Sequence, residues 1–184
     1  MDFLNILNRS RETRVALEQS RARLYRMAYA WCHNAALADD LVQETLTKAI
    51  QKSTQLRDPK ARDAWLFSIL TNCYRDHFRR HRDMDDVDDM ELLHEVTPES
   101  ERTEKDIILK VRQAIARLPE GQRQAVTLVD LEGFSYMEVA TILEIPIGTV
   151  MSRLCRARAS MKEQLLREFG DQAIRQGSHI RRIV

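Results

Sequence analysis

Residues 134–158 read FSYMEVATILEIPIGTVMSRLCRAR, and they predict two short helices joined by a tight turn. Ser135 followed by Glu138 has the spacing of a capping box, so a helix is expected to start there. Val139, Ala140 and Leu143 give that helix one apolar face. Pro146 and Gly148 interrupt it, and a proline disfavours helix in the residue before it. A second helix is expected from near Thr149. In it Val150, Leu154 and Ala157 recur at i, i+4 and i+7 and predict an inward stripe. Ser152, Cys155, Arg156 and Ala159 face the other way, with Arg153 and Arg158 on the flanks. A short helix, a turn and a helix that exposes arginines is the helix-turn-helix pattern. Its second helix can enter a major groove and bring guanidinium groups to guanine edges or phosphates. Two packed helices with a solvated basic face fit this stretch as well, so both readings stay open here.

Composition narrows the class. A chain of 184 residues holds one or two small domains. With 5 glycines and 4 prolines against abundant Leu, Ala, Arg and Glu, the expected fold is all-α. The net charge of +1 argues against wholesale adhesion to nucleic acid but does not exclude local patches. The sequence has no apolar run long enough to span a membrane. The start, MDFLNILNRSRETR, lacks the pattern of a signal peptide. Cys32, Cys73 and Cys155 are odd in number, far apart and without a CxxC pair. They predict reduced thiols in a cytosolic protein, two of them in the core.

Outward from the first stretch, residues from about Arg11 to Cys32 predict a helix with Leu17, Leu24, Ala28 and Trp31 on one face. His33 and Asn34 mark a break, and Asn34 is the expected N-cap of the next helix. That helix has Leu37, Leu41, Leu46 and Ala49 as its core stripe and Asp39, Asp40, Gln43 and Glu44 as an exposed acidic edge. Acids early in a helix also suit its dipole, which is a purely structural reason for them. Lys52 to Asp63 is polar, contains Asp58-Pro59 and is expected to be a loop. A third helix is expected from about Ala64 to Arg82. Leu66, Ile69, Leu70 and Cys73 line one side of it; Ser68, Thr71, Asn72, Arg75, Arg79 and Arg82 lie opposite. Trp65, Tyr74 and Phe78 stand among cations that include Arg80, His77 and His81. Rings beside cations suit single-stranded nucleic acid, because bases stack on rings while cations hold phosphates. Core packing of Trp65 and Phe78, with arginines late in a helix, accounts for the same pattern.

The composition then flips. DMDDVDDMELLHEVTPESE, residues 83–101, is densely acidic and predicts a solvated, flexible linker. Beyond it, Ile107, Val111, Ile115 and Leu118 form a helical stripe, and Pro119 ends that helix and opens the next. Ala125, Val126, Val129 and Leu131 supply the following apolar face, and Gly133 is the expected stop. The last helix is expected to run through Met161, Leu165 and Leu166 to about Phe169, with Gly170 as its stop and a tail behind it. The domain plan is therefore 1–82, a linker at 83–102, a helix-turn-helix domain at 103–170 and a tail at 171–184.

Four stretches in this order carry a family resemblance: ADDLVQE (Ala38 to Glu44), AWLFSILTNCYRDHFRR (Ala64 to Arg80), LPEGQRQAVTLVDLEGFSYMEVA (Leu118 to Ala140) and IPIGTVMSRLCRAR (Ile145 to Arg158). Together they resemble the bacterial sigma factors of the extracytoplasmic-function group, also called group IV. The resemblance implies two helical domains, sigma-2 and sigma-4, and an initiation subunit that directs RNA polymerase core enzyme to chosen promoters and is not itself an enzyme. It implies that Asp39, Asp40, Gln43 and Glu44 meet the β′ clamp helices of the polymerase, with the β flap as a further contact. It implies that Lys52, Trp65, Ser68, Asn72, Arg75, Arg79 and Arg80 serve the −10 element, where a flipped base is captured. For the −35 duplex the candidates are Thr149, Ser152, Arg153, Arg156 and Arg158. Family members are commonly silenced by an anti-sigma factor, which implies a compact arrangement with such a partner and an extended one on polymerase. No cofactor and no metal site are expected. Met151 stands where the family often has a basic residue, and Cys155 where a polar one is common, so base preference does not carry over.

Two other readings compete. An ordinary helix-turn-helix repressor or activator would need neither the DDLVQE edge nor the aromatic–basic surface. A sigma mimic that sequesters an anti-sigma factor could lose Arg153 and Arg156 freely. A nucleic-acid enzyme has no support, because no phosphate-binding glycine loop, metal-ligand spacing or nucleophile–base arrangement is present in the sequence.

Overall fold

The computed structural model describes residues 19–53, 56, 58–82 and 102–180. Helix α1 covers residues 19–32, α2 Ala35–Gln51 and α3 Arg62–Arg82, with a 3-10 turn at Pro59–Ala61 before α3. After them come α4 Arg102–Ala116, α5 Glu120–Val126, a π-helical segment Thr127–Leu131, α6 Tyr136–Leu143 and α7 Ile147–Ile180. Among the described residues there is no strand. The expected acidic linker, the start of the first helix and the last residues of the tail lie outside the described residues.

Local chemistry places most boundaries. Asn34 caps α2 by accepting from the Leu37 amide at 3.0 Å, which satisfies one of the orphan donors of a helix start. Ser135 and Glu138 form the full capping box of α6: the Ser135 hydroxyl oxygen accepts from the Glu138 amide, and the Glu138 carboxylate accepts from the Ser135 amide at 2.8 Å. The Ser135 hydroxyl also donates to that carboxylate at 2.7 Å, and this bond first, then the one from the Ser135 amide, holds the Glu138 carboxyl below its ordinary pKa. Gly133, at φ +79°, ends the π segment in the left-handed region that glycine enters without strain.

Several boundaries differ from the sequence expectation. The turn of the helix-turn-helix is made by Glu144 at φ 52°, not by Gly148, which lies inside the first turn of α7. Pro146 accepts the first bonds of α7 from Thr149 and Val150, so the helix starts at Ile147. Gly170 does not stop α7. A mid-helix glycine costs only about 1 kcal/mol relative to alanine, and its neighbours are mostly good helix formers. The helix expected to open at Pro119, with Ala125, Val126, Val129 and Leu131 as its apolar face, changes pitch at Thr127, where the Glu132 amide reaches back five residues to the Thr127 carbonyl at 3.2 Å. Leu131 is consequently exposed, as is Ile107 on α4.

The two halves of the chain share one core. Leu24, Trp31, Leu41, Leu66 and Leu70 from α1–α3 belong to the same buried cluster as Leu128, Val139, Ile142, Leu143 and Leu154 from the later helices. Helix α3 lies between α2 on one side and α6 on the other. Each large apolar side chain buried in this way contributes roughly 1.5–3 kcal/mol. Phe67 of α3 meets Phe134, just before α6, edge to face at 5.1 Å, a preferred aromatic geometry. Thr71, expected on the polar side of α3, is fully buried and donates to the Phe67 carbonyl at 2.9 Å. The second half covers that flank of the helix, so a hydroxyl that satisfies itself within its own helix is tolerated there. Cys73 is buried and Cys32 half-buried, whereas Cys155 is exposed.

Candidate nucleic-acid and polymerase interfaces

The acidic edge of α2 follows from its apolar stripe. Ala38, Leu41, Val42, Thr45 and Ala49 turn inward, so Asp40 and Gln43 are exposed and Asp39 and Glu44 half-exposed. Asp39 stands 3.7 Å from Arg21, and Glu44 takes a 2.8 Å ion pair from Lys48 and a 4.0 Å one from Arg80. Exposed pairs of this kind contribute ~0.2–1 kcal/mol each, so they can exchange for pairs with another basic surface at little cost. Of the four residues expected on this edge, all four share it.

The residues expected to meet the −10 element divide. Asn72, Arg79 and Arg80 of α3 and Lys52 after α2 are exposed. Arg79 leans on Asp76 at 3.0 Å, and Arg80 donates to the Asp76 carbonyl. Ser68 is half-buried and donates to the Ala64 carbonyl, and Trp65 is half-buried against the core. Arg75 crosses to the other half of the chain, where it donates to the carbonyl of Leu143 at the end of α6. Tyr74 is core, edge-on to Trp31 at 5.6 Å, and burial pushes its hydroxyl pKa up to about 12. Phe78 is exposed.

On α7, Val150, Leu154 and Ala157 are buried, which turns Met151, Cys155 and Arg156 outward. Ser152, half-buried, donates to the Thr149 carbonyl. Its own carbonyl and hydroxyl accept from Arg156, both at 3.2 Å. Arg158 is tied back to Asp130 of the π segment by two bonds, at 3.1 and 2.6 Å. Those bonds raise its pKa further above an already high value. Arg153 is half-buried on the flank towards α5. The five candidates therefore lie along one helix, and Arg158, though exposed, is also tied to Asp130 and so braces that helix.

Two arginines that the sequence did not single out join the halves. Arg23 of α1 donates to Asp63 at 2.6 Å and to Glu132 at 2.8 Å, with its guanidinium 5.8 Å from the Phe67 ring centre. Burial alone would lower its pKa, but the two carboxylates outweigh this and hold it above the ordinary value. Arg123 of α5, itself buried, places Nη1 2.8 Å from His33 Nε2 and donates to the Ala116 carbonyl. A guanidinium only donates, so Nε2 accepts and His33 is the neutral Nδ1–H tautomer. The signal for Arg23 was present: it stands in line with Met27 and Trp31 at four-residue spacing, a charge on an apolar stripe.

Among the described residues no group of three or more His, Cys, Asp and Glu side chains is placed to hold a metal ion. None of the described helices is long and apolar enough to cross a membrane.

A helical pair of modules, the second with a helix-turn-helix and an arginine-bearing last helix, defines a class of transcription protein. Residues 16–83 match the family described as Sigma-70 region 2 and residues 108–161 the one described as Sigma-70, region 4. The chain is 37% identical over 134 residues to the ECF RNA polymerase sigma factor EcfG of Rhodopseudomonas palustris, an overlap of 72% of this chain and 73% of that protein. It is 36% identical over 145 residues to the RNA polymerase sigma-H factor of Pseudomonas aeruginosa, with 72% and 75% covered. Among solved structures it resembles the sigma factor RpoE of Bartonella quintana in complex with the anti-sigma factor NepR, with 32% identity, TM-score 0.66 and 82% and 94% of the two chains covered. It also resembles CnrH in complex with the cytosolic domain of CnrY, with 25% identity, TM-score 0.58 and 85% and 91% covered. The chain belongs to the sigma-70 family, among its extracytoplasmic-function (ECF) sigma factors.

Proposed function

We propose that this ECF sigma factor binds RNA polymerase core enzyme through the α2 edge, captures and melts the −10 element with α3, and reads the −35 duplex with α7. In this reading residues 1–82 form the polymerase and −10 domain, 83–102 a flexible connector and 103–170 the −35 domain, in a group IV protein acting in the cytoplasm. The carrying observation is the combination, in one chain, of region 2 and region 4 matches with an exposed acid–amide edge at Asp40, Gln43 and Glu44 and an outward Arg156 face. The β flap is the proposed second polymerase contact. An open groove of about 380 Å³ on α7, lined by Met161, Leu165, Leu166 and Phe169, supports a partner with an apolar face there.

Control by an anti-sigma factor is part of the proposal. One similar structure is a complex with an anti-sigma factor, NepR, and another a complex with the cytosolic domain of CnrY. The way Arg75 is engaged by Leu143 supports it too, because a −10 candidate held by the other half has to be released before it meets DNA. Run-off transcription with purified core polymerase and a genomic promoter library tests the reading. Promoter-specific transcripts that require this chain are expected. Core enzyme with and without the chain giving the same transcripts would refute it, and would favour a repressor or a mimic.

A further inference from the structure

Gly121 sits in the first turn of α5, and the end of the Arg153 side chain, from α7, lies across it. A Cβ added at position 121 would stand 2.7 Å from Arg153 Cζ, 2.9 Å from Nη1 and 3.0 Å from Nε. The guanidinium, not its aliphatic stem, is therefore what rests on the bare backbone. Only a residue without a side chain allows so close an approach.

The neighbouring arginines of α7 are held by named partners: Arg156 by Ser152 and Arg158 by Asp130. Among the described residues no hydrogen bond or ion pair holds Arg153. Among those residues its position is set by shape, and its donors are left over. A planar guanidinium with free N–H groups matches the two oxygens of a phosphate. At roughly 100° of rotation per residue, Arg153 lies on the flank of α7 between the buried stripe of Val150, Leu154 and Ala157 and the outward Ser152 and Arg156. When the outward residues face base edges, a flank residue faces the wall of the groove, where the phosphates run.

We propose that Gly121 is a seat that holds the Arg153 guanidinium for a phosphate of the −35 duplex. This makes a residue outside the recognition helix a determinant of promoter affinity. The inference rests on the reading of α7 as the −35 reader.

The test uses holoenzyme assembled from core polymerase and the full chain, with promoter binding measured over a salt series on a panel of −35 variants. Arg153→Ala is expected to weaken binding several-fold on every −35 sequence and to lower the slope of log affinity against log salt by about 1. Gly121→Ala is expected to give the same signature in smaller degree. Alanine favours helix over glycine, so its melting temperature should hold or rise, which separates misplacement from unfolding. In the double variant the glycine change should add nothing to Arg153→Ala. In an Arg153→Lys background, where no flat group needs the seat, Gly121→Ala should have no effect. Wild-type binding by Gly121→Ala beside an impaired Arg153→Ala would overturn the seat. Loss confined to one −35 sequence would overturn the phosphate assignment. If Arg153→Ala and Arg156→Ala both bind as wild type, the −35 reading of α7 fails and the inference falls with it.

Discussion

The indole N–H of Trp31 donates to the hydroxyl oxygen of Thr127 at 2.9 Å, across 96 residues of chain and with both side chains buried. Thr127 in turn donates to the Arg123 carbonyl at 2.7 Å, so one hydroxyl serves as acceptor for the first half and donor within the second. Thr127→Val keeps the shape but strands the indole donor. A buried donor left without a partner costs about 1–3 kcal/mol. Urea unfolding of the free chain is expected to show a stability lowered by that amount, read from a lower midpoint at unchanged slope; Trp31→Phe strands no donor, and its cost is that of the cavity left by the smaller ring. Equal midpoints for Thr127→Val and wild type would show that the bond does not contribute to stability.

Arg23 and Glu132 give a second joint with a different signature. The Glu132 side chain is only 7% exposed, so Arg23→Ala leaves a carboxylate without its strong partner. Charge-assisted bonds of this sort contribute roughly 1.5–3 kcal/mol. The expected result is separation of the halves ahead of unfolding, read as a larger radius of gyration in solution scattering at unchanged helical content. Adding Glu132→Gln to Arg23→Ala should restore part of the compactness. A scattering profile that Arg23→Ala leaves untouched would count against this joint.

His33 makes the closed arrangement depend on pH. Burial, and then the nearby Arg123 charge, hold its pKa below the ordinary 6.5. The neutral form is the one that accepts from Arg123, so the contribution is fully present above about pH 6.5. It declines as pH falls from there towards the lowered folded value, where the closed form takes up its proton, and it then levels off. His77 is lowered too, but it sits on α3 and faces α2. A fluorescence pair placed across the two halves should show opening between neutral and mildly acidic pH in the wild type and a weaker trend in His33→Gln. Identical profiles for both chains would remove His33 from the interface.

The α2 edge predicts a separable loss. Asp40→Lys with Glu44→Lys should reduce affinity for core polymerase at least tenfold in a pull-down titration. The melting temperature should hardly change, because the pairs lost are exposed ones. Unaltered affinity would sink the assignment of this edge to the polymerase.

Much of the fold was legible because its signals are local. The Ser135–Glu138 capping box, the Asn34 cap, the Gly133 stop and the Val150, Leu154 and Ala157 stripe each involve residues within one or two turns of each other. What escaped depends on distant partners. Periodicity says that Phe67 or Trp31 turns inward, but not that one meets Phe134 and the other Thr127. The same blindness hid Thr71, which looks polar on its own helix and is fully buried. Glu144 carries no glycine to announce its left-handed turn, and nothing in TLVDL marks a π pitch. At the candidate site the α2 edge and the outward face of α7 could be read from spacing. The engagement of Arg158 by Asp130 and of Arg75 by Leu143 could not, since each bond joins separate elements.

The π segment has a consequence for chain length. A π turn takes up one more residue than an α turn, so Thr127–Leu131 acts as a one-residue shift in helical phase. Deleting one residue there, Val129 for instance, would restore the α pitch and rotate the downstream residues by roughly 100° relative to α5. Glu132 would then swing away from Arg23, and Asp130 from Arg158, in the same step. The grip of the first half on the second and the bracing of the last helix are therefore set by one inserted residue, and a shortening by one at this point should undo both where a substitution undoes either.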